Sequence, residues 1–351
     1  MIQIETKMQN QDPLYVSNRT QMESLIEHLE QTLEKIAAGV SQSGAITVSA
    51  HTLFDIVRKL EEGAQVELGG GTEEGQLAVK SGRSTLKLST LASEDFPTMM
   101  DDDMPHSFAV SASDLRALID RTRFAISQEE TRYYLNGIYL HAAENNGNKV
   151  LRAVATDGHR LALMETPLPV GADEIPGVIV PRKTVNELRK LIDEAEDDIS
   201  ITLCETKIKF TVNSIVLTSK LIDGTFPDYD RVIPEANDKL LEVSCKRFER
   251  AVDLVSTIST EKSRAIKLSL GDNCLVLSAT SADTGSAMEE LEVDYSDEQL
   301  EIGFNSRYLI DITQQIRGDA ARFSLSDAAS PTLVRDTTDS SALYVLMPMR
   351  V

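Results

Sequence analysis

The feature of this sequence of 351 residues that most constrains its fold is a threefold internal repeat. Three segments share one order: an amphipathic helical pattern, several strand-like runs, and a corner in which an aromatic residue or methionine precedes proline. The corners are Phe96-Pro97, Phe226-Pro227 and Met347-Pro348. Their spacing is about 125 residues, a domain-sized period rather than the 20–50 residues of a solenoid. The repeat therefore predicts three similar domains in one chain.

Each complete repeat also has a first half, in which a strand leads into a helix and further strands follow. Residues 107–126 and 240–258 have this pattern. Apolar residues alternate along the strand-like runs, which favours antiparallel sheets that bury one face. We therefore predict an α+β fold with domains at 1–104, 107–233 and 236–351. The first domain has no readable first half, and residues 20–36 have the pattern of an acidic amphipathic helix.

The net charge of −21 is unusual for a protein that binds nucleic acid, so the positions of the 35 Lys and Arg residues matter. Successive helical residues turn by about 100°, which places many of these cations opposite the apolar side of their helix. The residues chosen on this basis are Arg58, Arg182, Lys183, Arg189 and Arg250. A single basic helix face is ordinary solvated surface. Its recurrence on several helices predicts a sequence-independent track for DNA phosphates.

The sequence does not indicate a disulfide, a metal site, a phosphate-binding loop, a membrane span or a signal peptide. The three cysteines, Cys204, Cys245 and Cys274, have no C-x-x-C spacing and are interpreted as reduced thiols. No His/Cys cluster has zinc-like spacing, and no glycine-rich phosphate loop is present. No apolar run approaches the roughly 20 residues that span a bilayer, and the first residues lack the pattern of a signal peptide. We expect a cytoplasmic protein without a metal or cofactor.

Five motifs along the chain point to one family. They are RYYLNG (132–137), VATDGHRLAL (154–163), VPRK (180–183), SKLIDGTFPDYDRVIP (219–234) and the final YVLMPMRV (344–351). In this order, and together with the repeat, they closely resemble the beta sliding clamps of bacterial DNA polymerase III. The resemblance covers about residues 44–351.

This resemblance implies a non-catalytic processivity factor for DNA replication. It implies a head-to-tail homodimer whose six domains form a ring around duplex DNA, with helices lining the hole and sheets forming the outer wall. It also implies a hydrophobic cleft that binds short peptides containing glutamine and apolar or aromatic residues. The implied partners are the replicative DNA polymerase, the clamp loader, repair polymerases, mismatch-repair proteins and ligase.

The resemblance assigns roles to residues by position. The cleft would comprise Leu135, Thr156, Gly158, His159, Arg160, Leu161, Pro227, Arg231, Val232, Val345, Met347, Pro348, Met349 and Arg350. A DNA-contacting loop would contain Arg132, Tyr133 and Tyr134, and the basic residues near the hole would include Arg182 and Lys183. The ring-closing edges would include Leu86 and Leu88 on one subunit and Thr257 and Ile258 on the other.

Two other interpretations are open at this stage. Asp157 and His159 could act as the acid and base of an enzyme. Alternatively, the chain could be a clamp-like protein that binds partners but cannot close a ring. This second possibility arises because the first 40 or so residues do not match the family, and because His51-Thr52 stands where the family has a basic pair.

Overall fold

The computed structural model describes residues 30–34, 41, 44–70, 75–91, 93, 103–193, 195, 197–259 and 264–350. The chain divides into two compact units, the first ending at Asp102 and the second beginning at Asp103. Among the helices of the described residues, none is long and apolar enough to cross a membrane. The corner Phe96-Pro97 lies outside the described residues.

Where its residues are described, the first unit has one α-helix and a small antiparallel sheet. Its elements are β1 (Glu30–Glu34), α1 (Ala50–Val57), β2 (Glu67–Gly70), β3 (Gln76–Ser81) and β4 (Ser84–Ser89). Strands β2, β3 and β4 pair in that order. Helix α1 begins after Ser49, whose hydroxyl accepts a hydrogen bond from the Thr52 N–H as a helix cap. The buried side chains of β3, Leu77, Ala78 and Val79, anchor this sheet.

The helix predicted for residues 20–36 is wrong at residues 30–34, which form strand β1. The remainder of that segment lies outside the described residues. A local helical pattern is only a weak prior, because the hydrogen bonds of a strand are made with residues distant in sequence.

The second unit consists of two halves with the same order of elements. The first half contains β5 (His106–Val110), α2 (Ala112–Asp120), β6 (Gly137–Asn145), β7 (Asn148–Thr156), β8 (Arg160–Pro167), β9 (Val178–Pro181), α3 (Arg182–Ile192), β10 (Ile199–Leu203), β11 (Lys207–Val212) and β12 (Ile215–Lys220). The second half contains β13 (Lys239–Ser244), α4 (Cys245–Ser256), β14 (Ala265–Gly271), β15 (Cys274–Ser281), β16 (Gly285–Glu292), β17 (Leu300–Asn305), α5 (Ser306–Thr313), β18 (Ala320–Leu325), β19 (Thr332–Asp336) and β20 (Ala342–Leu346). In each half one strand, β9 or β17, leads directly into a helix.

All strand pairs of the second unit are antiparallel, which confirms the predicted sheet type. Strands β5, β10, β11 and β12 pair within the first half, and β17, β14, β15 and β16 pair within the second. The remaining strands form one sheet of eight in the order β13-β18-β19-β20-β8-β7-β6-β9. The pairing of β8 with β20, from Arg160 opposite Leu346 to Met164 opposite Ala342, joins the two halves.

The helices of the second unit pack in pairs, α2 with α3 and α4 with α5. The apolar side of each helix faces the core: Leu188 of α3 and Phe248 of α4 are both buried. Burial of such side chains stabilises a fold by about 1.5–3 kcal/mol each. The opposite sides of α3 and α4 keep Arg182, Lys183 and Arg250 exposed.

The loop that follows α5 is held by one carboxylate. Asp336 Oδ2 accepts hydrogen bonds from the backbone N–H groups of Arg317 (2.8 Å) and Gly318 (2.9 Å). Its Oδ1 accepts two more from Thr338, from the backbone N–H and the hydroxyl, each at 2.8 Å. Burial opposes ionisation, but these hydrogen bonds outweigh it and lower the pKa of Asp336 to about 2.

We expect Asp336→Asn to lower the free energy of unfolding by about 2 kcal/mol at neutral pH, because an amide cannot accept all four hydrogen bonds. A depressed carboxylate pKa gives stability that is present above the unfolded pKa of about 3.9 and lost as the pH falls through about 2. Urea titrations at several pH values should therefore show the two proteins converging on acidification. A difference that persists unchanged to the lowest pH would contradict this assignment.

Candidate functional site

A tight turn between β7 and β8 forms one wall of the site. Gly158 has φ +85°, a conformation that favours glycine. Asp157 Oδ1 accepts hydrogen bonds from the N–H groups of His159 (2.9 Å) and Arg160 (3.0 Å). The Thr156 hydroxyl donates to the Arg160 carbonyl at 2.7 Å. This network fixes the turn and leaves Gly158 and His159 exposed.

The end of the chain runs beside this turn because β20 pairs with β8. The N–H of Met347 donates to the His159 carbonyl at 2.9 Å, and the N–H of Met349 donates to the Gly303 carbonyl at 2.8 Å. The Met347 side chain is 39% exposed, while Pro348 and Met349 are half-buried and Arg350 is exposed. Flexible, polarisable methionines at this position can adapt to an apolar ligand.

The segment that joins the two halves of the second unit, residues 226–233, forms the third part of the site and is here called the joint. Phe226 and Tyr229 are buried, and a 3-10 helix spans Tyr229–Val232. Pro227, Arg231 and Val232 are exposed on the other side of the joint, Val232 by 46%. The buried rings thus anchor the joint and leave its rim facing solvent.

One hydrophobic cluster lies beneath all three parts. Its buried members include Leu135, Leu161 and Val345, none more than 4% exposed, together with Phe226 and Tyr229. The structure therefore brings together the turn, the joint and the tail from which the cleft residues were predicted. Leu135, Leu161 and Val345 are thus buried, whereas Met347 and Val232 are exposed.

Arg160, one of the residues predicted for the cleft, has its guanidinium buried between the two halves. It donates to Asp311 Oδ2 at 2.5 Å, to the Phe124 carbonyl at 2.7 Å and to Asp157 Oδ2 at 3.2 Å. It also lies 4.3 Å from the ring centroid of Tyr308. A guanidinium with these partners connects the turn to α5.

Asp157 and His159 do not form the acid–base pair considered from the sequence. Both oxygens of Asp157 accept hydrogen bonds from the turn itself and from Arg160. The His159 ring instead stacks near Tyr308, at 6.4 Å between centroids. Among the described residues, no group of three or more His, Cys, Asp or Glu side chains could hold a metal ion.

The basic residues predicted to contact DNA separate into two groups. Arg58, Arg182, Lys183 and Arg250 are exposed on their helices. Arg189 is not available in this way, since its side chain is only 17% exposed and its Nε donates to Asp120 of α2 at 2.7 Å. This hydrogen bond raises the pKa of Arg189 further above its usual range. Arg189 therefore ties α3 to α2.

The predicted DNA-contacting loop lies beside the turn. It is a 3-10 helix, Glu130–Leu135, in which Tyr133 is 55% exposed and Tyr134 is half-buried. The two rings pack edge to face at 5.8 Å. A β-carbon on Gly158 would lie 2.8 Å from Arg132 Nη1, so Arg132 extends over the turn.

Exposed or half-buried apolar residues lie at or near two sheet edges. Within the described residues β4 and β16 each pair with one neighbour, and so present an open edge. Leu86 and Leu88, predicted for ring closure, lie on β4. Met288 of β16 and Leu254 of α4, which were not predicted, are 73% and 54% exposed. The acidic run Glu289-Glu290, beside Met288, is a sequence signal that could have indicated this edge.

Three family models match the chain in succession. They describe the N-terminal domain (residues 16–100), the central domain (109–228) and the C-terminal domain (230–350) of the DNA polymerase III beta subunit. The predicted three similar domains are confirmed. The first match begins at residue 16, so the expectation that the resemblance starts near residue 44 is wrong. The motifs did not indicate a resemblance before residue 44, because similarity there is spread over many positions and forms no short motif.

Named relatives agree with the family models. The beta sliding clamp of Caulobacter vibrioides is 50% identical over 314 residues, which is 90% of this chain and 84% of the relative. The beta sliding clamp of Escherichia coli is 38% identical over 312 residues, with 88% and 83% covered. A solved sliding clamp of Bartonella birtlesii, bound to griselimycin, has a TM-score of 0.88 at 49% identity and covers 92% of this chain and 86% of that one.

A second solved structure, the Caulobacter crescentus beta sliding clamp, superimposes with a TM-score of 0.89 at 49% identity, covering 92% of this chain and 86% of that one. It holds polyethylene glycol at a region described as a candidate tethering region for the beta-motif. Nothing in these comparisons supports a clamp-like protein that cannot close a ring. The chain belongs to the DNA polymerase III beta subunit family, the bacterial beta sliding clamps.

Proposed function

We propose that this sliding clamp, a non-catalytic processivity factor, holds a polymerase on DNA through a peptide-binding cleft. The cleft formed by the turn, the joint and the tail would bind a short peptide of the polymerase. The proposal is supported by one buried apolar cluster that includes Tyr229 of the joint, Leu161 of β8 and Val345 of β20. Val232 and Met347, which follow Tyr229 and Val345 in the sequence, are exposed. The tethering region described in the Caulobacter crescentus clamp is consistent with such a site. The polymerase would then meet the primer end at high effective concentration.

We further propose that Arg58, Arg132, Tyr133, Arg182, Lys183 and Arg250 contact duplex DNA. All six are exposed, and the cations can neutralise phosphates without reading bases. Weak contacts of this kind permit sliding. An acidic protein can bind a polyanion in this way when its cations lie on one surface.

Ring closure would use the open edges of β4 and β16 in two copies of the chain. Edge strands readily pair with another chain, and a head-to-tail contact gives a closed ring when its rotation closes. Lys87 on β4 and Glu290 on β16 carry opposite charges, which favours this pairing. The apolar part of the contact would comprise Leu86 and Leu88 against Thr257 and Ile258, extended by Leu254 and Met288.

The finer set of partners is also a proposal. The same cleft would serve the clamp loader, repair polymerases, mismatch-repair proteins and ligase in turn, since each needs only a short apolar peptide to bind it. The protein would work in the bacterial cytoplasm, and the proposed mechanism requires no cofactor.

Light scattering tests the proposed ring contact. We expect the wild-type chain of 38.6 kDa to have a mass of about 77 kDa as a dimer. Replacing Leu86 and Leu88 with glutamate should reduce the mass to that of one chain, because unpaired carboxylates would be buried in the contact. Val170→Glu is the matched control, since Val170 is 96% exposed and far from either edge in sequence. A monomeric wild type, or a double variant that remains dimeric, would contradict the assignment.

A further inference from the structure

A chain of polar side chains runs beneath the joint and is not part of the predicted site. Glu165 accepts from Arg152 Nε at 2.7 Å, and Arg152 Nη1 donates to the Tyr229 hydroxyl at 2.8 Å. The same hydroxyl lies 2.8 Å from His141 Nε2. Glu165, Arg152, Tyr229 and His141 are here called the polar chain. It connects β8, β7 and β6 to the joint.

The hydrogen bonds of the polar chain fix its protons. His141 Nδ1 lies 2.9 Å from the Ala142 carbonyl, which can only accept, so Nδ1 carries the proton. In the neutral ring Nε2 is therefore an acceptor and receives the Tyr229 proton. The Tyr229 oxygen in turn accepts from Arg152. Each group thus has the partner it needs only while His141 is neutral.

Aromatic contacts link the same histidine to the joint. The Tyr139 ring stacks on His141, with 4.6 Å between centroids, and on Phe226, with 4.9 Å between centroids and 7° between planes. Phe226 and Tyr229 are the two buried anchors of the joint, and the exposed rim residues Pro227 and Arg231 alternate with them. The position of the rim therefore depends on how Tyr229 and Phe226 are held.

We propose that the polar chain positions the joint for peptide binding, and that protonation of His141 loosens it. The inference rests on the proposed function of the cleft and adds a pH-dependent control to it. Tyr229 and His141 act as positioning residues, because neither is placed at the exposed rim.

The charged groups around His141 favour its neutral form at neutral pH. Burial lowers the pKa of His141 below 6.5, and the positive charge of Arg152 on β7 lowers it further. The hydrogen bond to Ala142 and the negative charges of Asp230 in the joint and Glu165 on β8 oppose this shift without reversing it. Protonation makes Nε2 a donor, so the Tyr229 proton loses its acceptor and a second cation lies near Arg152. For a base with a lowered folded pKa, this destabilisation begins as the pH falls below about 6.5 and is complete below the folded pKa.

Peptide binding at two pH values tests the proposal. The probe is a tetramethylrhodamine-labelled peptide containing glutamine, leucine and phenylalanine, with affinity measured by fluorescence anisotropy on the full-length dimer. We expect Tyr229→Phe to weaken binding about fivefold to tenfold at neutral pH, since two hydrogen bonds are lost. The wild type should weaken by about tenfold between about pH 7.5 and about pH 5. His141→Gln places an uncharged acceptor near the position of Nε2, so it should bind like the wild type and change less than about twofold over that range.

Tyr295→Phe is the matched control. It removes another buried tyrosine hydroxyl, which donates to the Glu298 carbonyl in the other half of the unit, and should leave peptide affinity unchanged. Thermal unfolding of each variant establishes that it is folded. A Tyr229→Phe variant that binds like the wild type, or a His141→Gln variant with the full pH dependence, would overturn the positioning role alone. A wild type that does not bind the peptide at either pH would overturn the cleft assignment and this inference together.

Discussion

A chain in which Met347 and Met349 are both replaced with aspartate is expected to form normal dimers but to lose polymerase stimulation. Met347 lies at the surface of the cleft, and Met349 is half-buried beside it. A bound apolar peptide would exclude water from both new carboxylates and would offer neither of them a hydrogen-bond donor or a cation. The effective cost of burying an unpaired ion is several kcal/mol, so peptide affinity should fall by about 100-fold or more.

The readout is primer extension on a long single-stranded circular template by a bacterial replicative polymerase with its clamp loader. Val170→Asp is the control, because it adds a carboxylate at a 96% exposed position that is no part of the cleft. Dimer mass should be normal in both proteins. If the methionine variant loses both dimer formation and polymerase stimulation, the tail does not have a purely local role. If the variant still stimulates the polymerase, the cleft assignment is contradicted.

Replacement of Arg160 with alanine is expected to destabilise the second unit by about 3–5 kcal/mol, the usual cost of removing one partner of a buried ion pair. Asp311 and Asp157 would each lose their guanidinium partner, and Tyr308 would lose a cation over its ring. Urea unfolding followed by tyrosine fluorescence reports on this unit, because every tyrosine except Tyr15 lies in it.

Arg231→Ala is the matched control for this prediction. Arg231 also pairs with an aspartate three residues away, Asp228, but its side chain is 83% exposed. Exposed ion pairs contribute only about 0–1 kcal/mol, so this variant should unfold nearly like the wild type. Equal losses in the two variants would show that Arg160 does not connect the two halves as described.

The helices and strands of the second unit were largely predictable because their patterns are local. A period of 3.6 residues identifies Leu188 and Phe248 as buried, and both are. Alternation in β11 likewise identifies Ile208 and Phe210 as core residues. Strands β9 and β17 are harder to identify, because each passes into a helix without an intervening turn.

The partners of individual charges could not be predicted in the same way. Arg189 lies on the same helix side as Arg182, yet Asp120, 69 residues away, binds its guanidinium. Arg160 similarly meets Asp311 at a separation of 151 residues. Nothing in a local pattern specifies such pairs, so the sequence does not indicate which carboxylates bind these two arginines.

The residues proposed for the cleft were predicted from motifs of the family and not from helix or strand periodicity. Their convergence depends on the pairing of β8 with β20, whose positions Leu161 and Val345 are opposite each other. Alternation indicates that each strand has a buried face but not which strand it pairs with. The polar chain was missed for the same reason, since His141 and Tyr229 are 88 residues apart.

The most direct test of the central claim, that this clamp encircles DNA without gripping it, is a topological release experiment. Clamps are loaded by a bacterial clamp loader onto nicked circular duplex DNA, and the DNA is separated from free protein by gel filtration before and after cutting with a restriction enzyme. We expect the protein to stay with the circle at high salt and to leave once the DNA is linear, because salt weakens phosphate contacts but does not open a ring. Protein that leaves the intact circle at high salt, or stays on linear DNA with free ends, would contradict the account.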